Sequence, residues 1–163
     1  MSDILQRIVE KKREELAVRK AALPLARVRE QAGVVMAQAP TLDFTAALRG
    51  ARPRGRGGAV RVIAEIKRRS PSKGEFPWHG DVPRQARAYE RGGAACISVV
   101  TDGPFFGGNE DMLRQAKAAA GLPVLQKEFL VEPWQVHQAR AIGADAVLLI
   151  AAILPGGLLG ELQ

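Results

Sequence analysis

The chain has 163 residues, 47% of them apolar and 25% charged, which are ordinary proportions for one globular domain with a core of its own and argue against disorder. Its net charge of +7, from 24 Lys and Arg against 17 Asp and Glu, favours anionic partners, nucleic acid and phosphorylated metabolites among them. A single cysteine, Cys96 in the apolar run 94–100, excludes an intramolecular disulfide and a thiolate zinc cage and reads as a buried core thiol. With two histidines, His79 and His137, and no matching acidic cluster, neither a metal site nor a cofactor is expected.

The first residues lack the charged and then apolar order of a signal peptide, and the longest apolar run, 146–154, falls well short of the roughly 20 residues of a membrane span. A cytoplasmic protein without membrane contact is the expectation. Residues 3–22 predict an amphipathic helix, with Ile4, Leu5, Ile8, Val9 and Leu16 near helical spacing opposite a face rich in lysine and arginine. Asp3 and Gln6 have the spacing of a capping box, and Pro24 marks the stop. The pattern over 32–40 is weak, and 41–48 predicts a short second helix capped by Thr41 or Asp43. Residues 50–58, rich in Arg, Gly and Pro, read as a mobile linker. Their R-G-R-G-G core resembles RNA-binding tracts, yet one copy without interleaved aromatics favours a solvated linker and no nucleic-acid partner.

Beyond the linker a regular alternation begins. A strand over 60–67 places Val60, Val62, Ala64 and Ile66 on one face and Arg61, Ile63, Glu65 and Lys67 on the other. The apolar face calls for helices packed over it, so the charged pair points inward. A helix follows over 83–89, with Asp81 near its cap and Gly92-Gly93 at its end, then a strand over 94–101 and a loop over 102–108. Asn109 caps the next helix, 110–120, and a strand runs over 123–131. Pro133 opens a third crossover helix that turns Val136, Ala139 and Ile142 inward and ends at Gly143. The run 144–154 is almost unbroken apolar sequence, as in a strand covered on both faces, and 158–163 opens a further helix. Strands alternating with helices in this way mean parallel β-α units with right-handed crossovers, and four of them amount to half of an eight-stranded barrel.

Glu65 and Lys67 stand at the C-terminal end of the first strand, just before the S-P-S-K-G turn at 70–74, where barrel enzymes of this architecture assemble their sites. Taken alone, the pair reads equally as a structural ion pair beside a solvated loop. On the third strand Leu125, Lys127 and Phe129 share a face, and an inward lysine is costly unless paired or functional. Glu65, Lys67 and Lys127 then converge from alternate strands. The set carries more weight than any member.

The segments V-I-A-E-I-K-R-R-S-P-S-K-G, A-A-C-I-S-V-V-T-D-G-P-F-F-G-G, P-V-L-Q-K-E-F and G-A-D-A-V-L-L-I, in this order and spacing, strongly resemble indole-3-glycerol phosphate synthase of tryptophan biosynthesis. The resemblance begins at the N-terminal I-L-Q-R-I-V-E-K-K-R-E-E-L and runs the length of the chain. It implies an α/β fold, the N-terminal half of a (β/α)8 TIM barrel over 59–163, preceded by a helical extension over 1–49 and the 50–58 linker. It also implies a carboxy-lyase that closes the indole ring of a phosphorylated, anthranilate-derived substrate, 1-(2-carboxyphenylamino)-1-deoxyribulose 5-phosphate, with loss of carbon dioxide and water. By motif position Lys127 resembles the general acid, Glu65 the carboxylate that assists proton transfer, and Lys67 the lysine that holds the substrate's anionic groups. Ser70 falls in the binding loop, and Phe106, Phe129, Leu148 and Ile150 match apolar positions that pack the aromatic ring.

Departures from the family pattern are few within this span. Leu125-Gln126-Lys127-Glu128-Phe129 replaces the usual L-R-K-D-F, and the changed residues are expected to face away from the pocket. The family's base on the fifth strand, its asparagine on the sixth and its later phosphate-binding turns have no counterpart, so the chain alone is expected to be inactive. A different class of function is a non-catalytic half-barrel that forms a homodimer, or docks on another chain, through the open edges of its first and fourth strands. His137 is expected on a solvated helix face, and His79 beside Trp78 at the mouth.

Overall fold

The computed structural model describes residues 3–49, 60–77 and 80–163; the expected linker at 50–58, Trp78 and His79 lie outside the described residues. Helix α1 (Asp3–Ala22) has the expected span and buries Ile8, Val9 and Leu16, while Ile4 stays exposed. The chain turns at Pro24 into α2 (Leu25–Gln38), a helix that the weak pattern over 32–40 does not announce. Its apolar stripe is thin, with only Val28 and Ala32 buried. Helix α3 (Phe44–Arg49) follows, and its cap is Asp43, whose Oδ1 accepts the Ala46 N–H at 2.8 Å.

The alternation then runs through β1 (Ile63–Ile66), a small antiparallel hairpin of β2 (Arg69–Ser70) and β3 (Gly74–Glu75), α4 (Val82–Arg91), β4 (Cys96–Val100), α5 (Glu110–Ala119), β5 (Val124–Lys127), α6 (Pro133–Ala141), β6 (Ala146–Val147), a 3-10 turn (Ala151–Ile153) and α7 (Leu158–Leu162). The other four strands form one sheet in the order β1-β4-β5-β6, parallel throughout. This is the half-barrel arrangement. Ile66, Ile97, Val99 and Val124 meet Val82, Ala86, Leu113 and Ala139 between the sheet and its helices. Asp81 and Asn109 cap α4 and α5 through the Arg84 and Met112 N–H groups, and Glu132 with Gln135 forms a capping box on α6. Cys96 is fully buried.

All four strands of the alternation are shorter than the sequence predicts, β4 spanning Cys96–Val100 within the expected 94–101 and β5 Val124–Lys127 within the expected 123–131. β1 begins at Ile63 rather than at residue 60, and β6 holds two residues rather than the run 144–154. Among the described residues β1 and β6 each pair on one side only, so half of the backbone ladder that would extend them is missing. For the same reason the apolar outer face of β1 is covered only at its end: Ile66 is buried, whereas Val60 and Val62 are 85% and 49% exposed. No described helix is long and apolar enough to cross a membrane.

Tertiary contacts complete what propensity leaves weak at the N-terminus. Trp134 on α6 packs against Leu16 and Val28, and its Nε1 donates to the Leu23 carbonyl at 2.9 Å. The Arg140 guanidinium donates to the Val35 carbonyl, which also accepts the Ala39 N–H, and to the Ala39 carbonyl at the end of α2. His137, expected on a solvated face, is instead partly covered, its Nε2 accepting from Arg29 Nε at 3.1 Å.

Asp145 fastens the opposite, N-terminal end of the strands. Its buried carboxylate accepts the N–H groups of Leu42 and Val124, both at 2.8 Å, and the Lys117 ammonium at 2.5 Å. Asp145→Ala strands two amides and a lysine at once, and the expected loss of stability is about 3 kcal/mol by urea unfolding. A loss below about 1 kcal/mol would mean that water replaces the carboxylate.

Candidate active site

All three charged residues singled out in the sequence meet on the inner face, at the C-terminal ends of β1 and β5. Glu65 Oε2 lies 2.6 Å from Lys127 Nζ, and Glu65 Oε1 lies 2.9 Å from Lys67 Nζ. One carboxylate thus bridges two ammonium groups, leaving one positive charge in excess. Burial acts to raise the Glu65 pKa, but the hydrogen bonds and charges of Lys127 and Lys67 outweigh it and hold the carboxyl below its ordinary value. The Glu65 backbone is pinned as well, its carbonyl accepting the Tyr89 hydroxyl at 2.9 Å. Beside the cluster a cavity of about 290 Å³ is lined by Glu65, Ile66, Lys67, Phe76, Gln85 and Tyr89. Lys67 Nζ stands 5.1 Å from the centre of the Phe76 ring, so an aromatic face shares its charge with Glu65.

The expected apolar residues fall into two groups. Phe106, on the loop after β4, and Phe129, just past β5, face each other at 6.0 Å between ring centroids with a 36° tilt. Phe129 and Ile150 also join the apolar cluster that includes Val9 of α1, so the N-terminal helix is packed into this rim. Leu148 is half-buried and follows β6, its N–H reaching the Gln126 carbonyl at 3.3 Å. Ser70 lies in the β2–β3 hairpin, where its hydroxyl oxygen accepts the Lys73 N–H at 3.2 Å rather than meeting the lysine cluster.

The loops after β1 and β4 are tied together. The Arg69 N–H donates to the Phe106 carbonyl at 3.2 Å, and its guanidinium donates to the Pro104 carbonyl at 2.9 Å. Gly108 closes the second loop against β4: a Cβ there would lie 2.1 Å from the Val100 carbonyl oxygen, so no larger residue fits this close approach.

A second charged cluster, which sequence reasoning missed, lies behind the aromatic pair. Lys12 of α1 is only 5% exposed, and its Nζ stands 2.8 Å from Glu15, 3.2 Å from Asp102 and 3.2 Å from Glu128. Gln126 and Glu128, the residues that depart from the family pattern, are both buried; Gln126 donates to the Thr101 hydroxyl at 3.0 Å, and that hydroxyl lies 3.1 Å from Glu128. A signal for Lys12 exists. The apolar stripe Ile8, Val9, Leu16 has a gap at the position where a helix of that face places residue 12.

Comparison with known proteins bears on this geometry. The family model described as indole-3-glycerol phosphate synthase matches residues 5–163. The indole-3-glycerol phosphate synthase of Aromatoleum aromaticum (strain DSM 19018 / LMG 30748 / EbN1) is 51% identical over 154 residues, 94% of this chain and 56% of the relative. That of Azoarcus sp. (strain BH72) is 51% identical over 163 residues, 100% of this chain and 58% of the relative. That of Leptothrix cholodnii (strain ATCC 51168 / LMG 8142 / SP-6) is 47% identical over 163 residues, again 100% of this chain and 60% of the relative. The chain therefore spans somewhat more than half the length of the curated relatives it matches. With its parallel half-barrel and a match that covers nearly every residue, the chain belongs to the indole-3-glycerol phosphate synthase family.

Proposed function

We propose that this chain carries the acid, the relay carboxylate and an anion-holding lysine of an indole-3-glycerol phosphate synthase, a carboxy-lyase of tryptophan biosynthesis. The observation that supports it best is the carboxylate of Glu65 shared between Lys127 and Lys67 at the C-terminal rim of the sheet. The substrate is 1-(2-carboxyphenylamino)-1-deoxyribulose 5-phosphate. As its ring carbon attacks the sugar carbonyl, Lys127 donates a proton to the carbonyl oxygen, so that no alkoxide has to build up. Loss of carbon dioxide and then of water leaves the indole ring. Glu65, kept ionised by its two partners, orients the Lys127 ammonium and assists its reprotonation. Lys67 contributes fixed positive charge to the anionic substrate. Phe106 and Phe129 pack the substrate's aromatic ring, with Leu148 and Ile150 extending the apolar wall and Ser70 in the loop over the site.

A second reading is favoured by the exposure of Ile63 on β1, 43%, on a strand with one neighbour among the described residues. On this reading the sheet edges are assembly surfaces, and the chain pairs with a second copy through them. Light scattering on the purified chain gives a discrete dimer if so, and a monodisperse monomer removes the reading.

Activity is tested in a chimera in which this chain replaces the matching 58% of the Azoarcus relative. The chimera is expected to form indole-3-glycerol phosphate, and Lys127→Ala to lower its kcat about 100-fold or more. Lys67→Ala is expected to raise KM chiefly. Unaltered turnover in Lys127→Ala would remove that residue from the chemistry.

The Glu65 pKa provides a test independent of turnover. Because it is lowered in the fold, the ion pairs stabilise the chain above the unfolded carboxyl's value, about 4.3, and that contribution is lost as pH falls through the lower folded value. In a carboxyl titration by NMR, Lys127→Ala and Lys67→Ala each move the Glu65 midpoint upward. A midpoint unmoved by both would mean that the lysines do not hold the carboxylate in solution.

A further inference from the structure

The cluster around Lys12 is built like a site support rather than a surface ion pair. Lys12 and Asp102 are 5% and 1% exposed, and Glu128 is 9% exposed. One ammonium here faces three carboxylates, those of Glu15, Asp102 and Glu128. Two of the three have a second duty. Asp102 Oδ2 accepts the N–H groups of Phe105 and Phe106 at 2.9 and 3.2 Å, and Glu128 Oε1 accepts the Phe129 N–H at 2.8 Å. The backbone beneath both rings of the aromatic pair therefore hangs on carboxylates that share a single counter-charge. Because those carboxylates meet the same ammonium, the two ring-bearing loops are also fixed relative to each other.

We infer that Lys12 is a positioning residue: its ammonium, delivered by α1, bridges the two carboxylates that hold the backbone of Phe106 and Phe129 and so sets the spacing of the two rings. The inference deepens the proposed function and rests on it for the role of the rings as contacts of the substrate's aromatic part. Without Lys12, two buried carboxylates would face each other unpaired. Either they would separate, or one would take up a proton and lose acceptor strength, and in both cases an amide under a ring is released. Burial acts to raise the Glu128 pKa, and the Lys12 charge is the largest force opposing it, which adds to the cost of removing that charge. Helix α1 is thus part of the binding apparatus through one side chain, besides its apolar packing.

The test uses the whole 163-residue chain. Amide hydrogen exchange is compared residue by residue in the native protein, Lys12→Met and Lys12→Arg. In Lys12→Met, exchange at the Phe105, Phe106 and Phe129 amides is expected to rise about tenfold or more, while Ile97 and Val99 in β4 keep their protection. Lys12→Arg, which retains the charge, is expected to restore protection to within about threefold of the native level. Titration with 1-(2-carboxyphenylamino)-1-deoxyribulose 5-phosphate is expected to show a Kd about tenfold weaker in Lys12→Met, with Lys12→Arg close to native. Unchanged exchange at the three amides would overturn the inference, as would a rise spread equally through β4. If Lys12→Met does not fold, the same comparison is decided on Lys12→Gln. A native chain that binds none of this substrate leaves the proposed function to be decided by the chimera, while the exchange pattern decides the role of Lys12.

Discussion

The contact between Glu65 and Lys127 depends on parallel strand direction. β1 and β5 are not neighbours, and β4 lies between them, so at about 4.8 Å per strand their backbones are roughly 10 Å apart. Only long side chains leaving the same face at the same end can close that gap, and a parallel sheet places every strand's C-terminal end on one rim. Ser98 lies level with Glu65 on the intervening strand, and its side chain is much shorter than either partner's. Reversing β5 alone would place Glu65 and Lys127 on opposite rims, and the carboxylate would lose one of its two partners.

Around that rim hydrogen bonds to charged groups order the loops. Arg69 ties the loop after β1 to the loop after β4, Asp102 folds the latter onto its own amides, and Glu128 fixes the residue after β5. Ionised partners make these bonds stronger and more directional than neutral ones. The arrangement suits the proposed substrate, an anionic and partly aromatic molecule. Positive charge lies over the sheet's inner face, ring surfaces stand beside it, and the carboxylates that organise the loops are bridged from behind by Lys12.

Much of the barrel half was legible in the residues themselves. Alternation placed Glu65, Lys67 and Lys127 on inward faces, and Asp81, Asn109 and Pro133 marked helix starts because their capping chemistry is local. The resemblance at the four strand-end segments identified the family. Less legible was α2, whose thin stripe of Val28 and Ala32 becomes a stable helix only where Trp134 and Arg140 meet it. The hairpin at 69–75 has two residues per strand, too few to leave a periodicity. β6 was overestimated because a continuous apolar run signals burial, whereas strand length depends on having neighbours to pair with.

The sequence by itself determined those features that arise within a few residues: the faces of strands, the ends of helices, and the placing of three charged groups at strand ends. Only the tertiary structure decided which charge meets which. Lys12 is marked only by a gap in the apolar stripe of a basic helix, Asp102 looks like an ordinary loop acid, and Glu128 like an acid on one face of a strand. They find one another because α1 docks across the strand ends, and that docking depends on side chains far apart in the chain packing together. A buried ion pair has no local pattern, since its cost and its compensation are settled only when both partners leave water together.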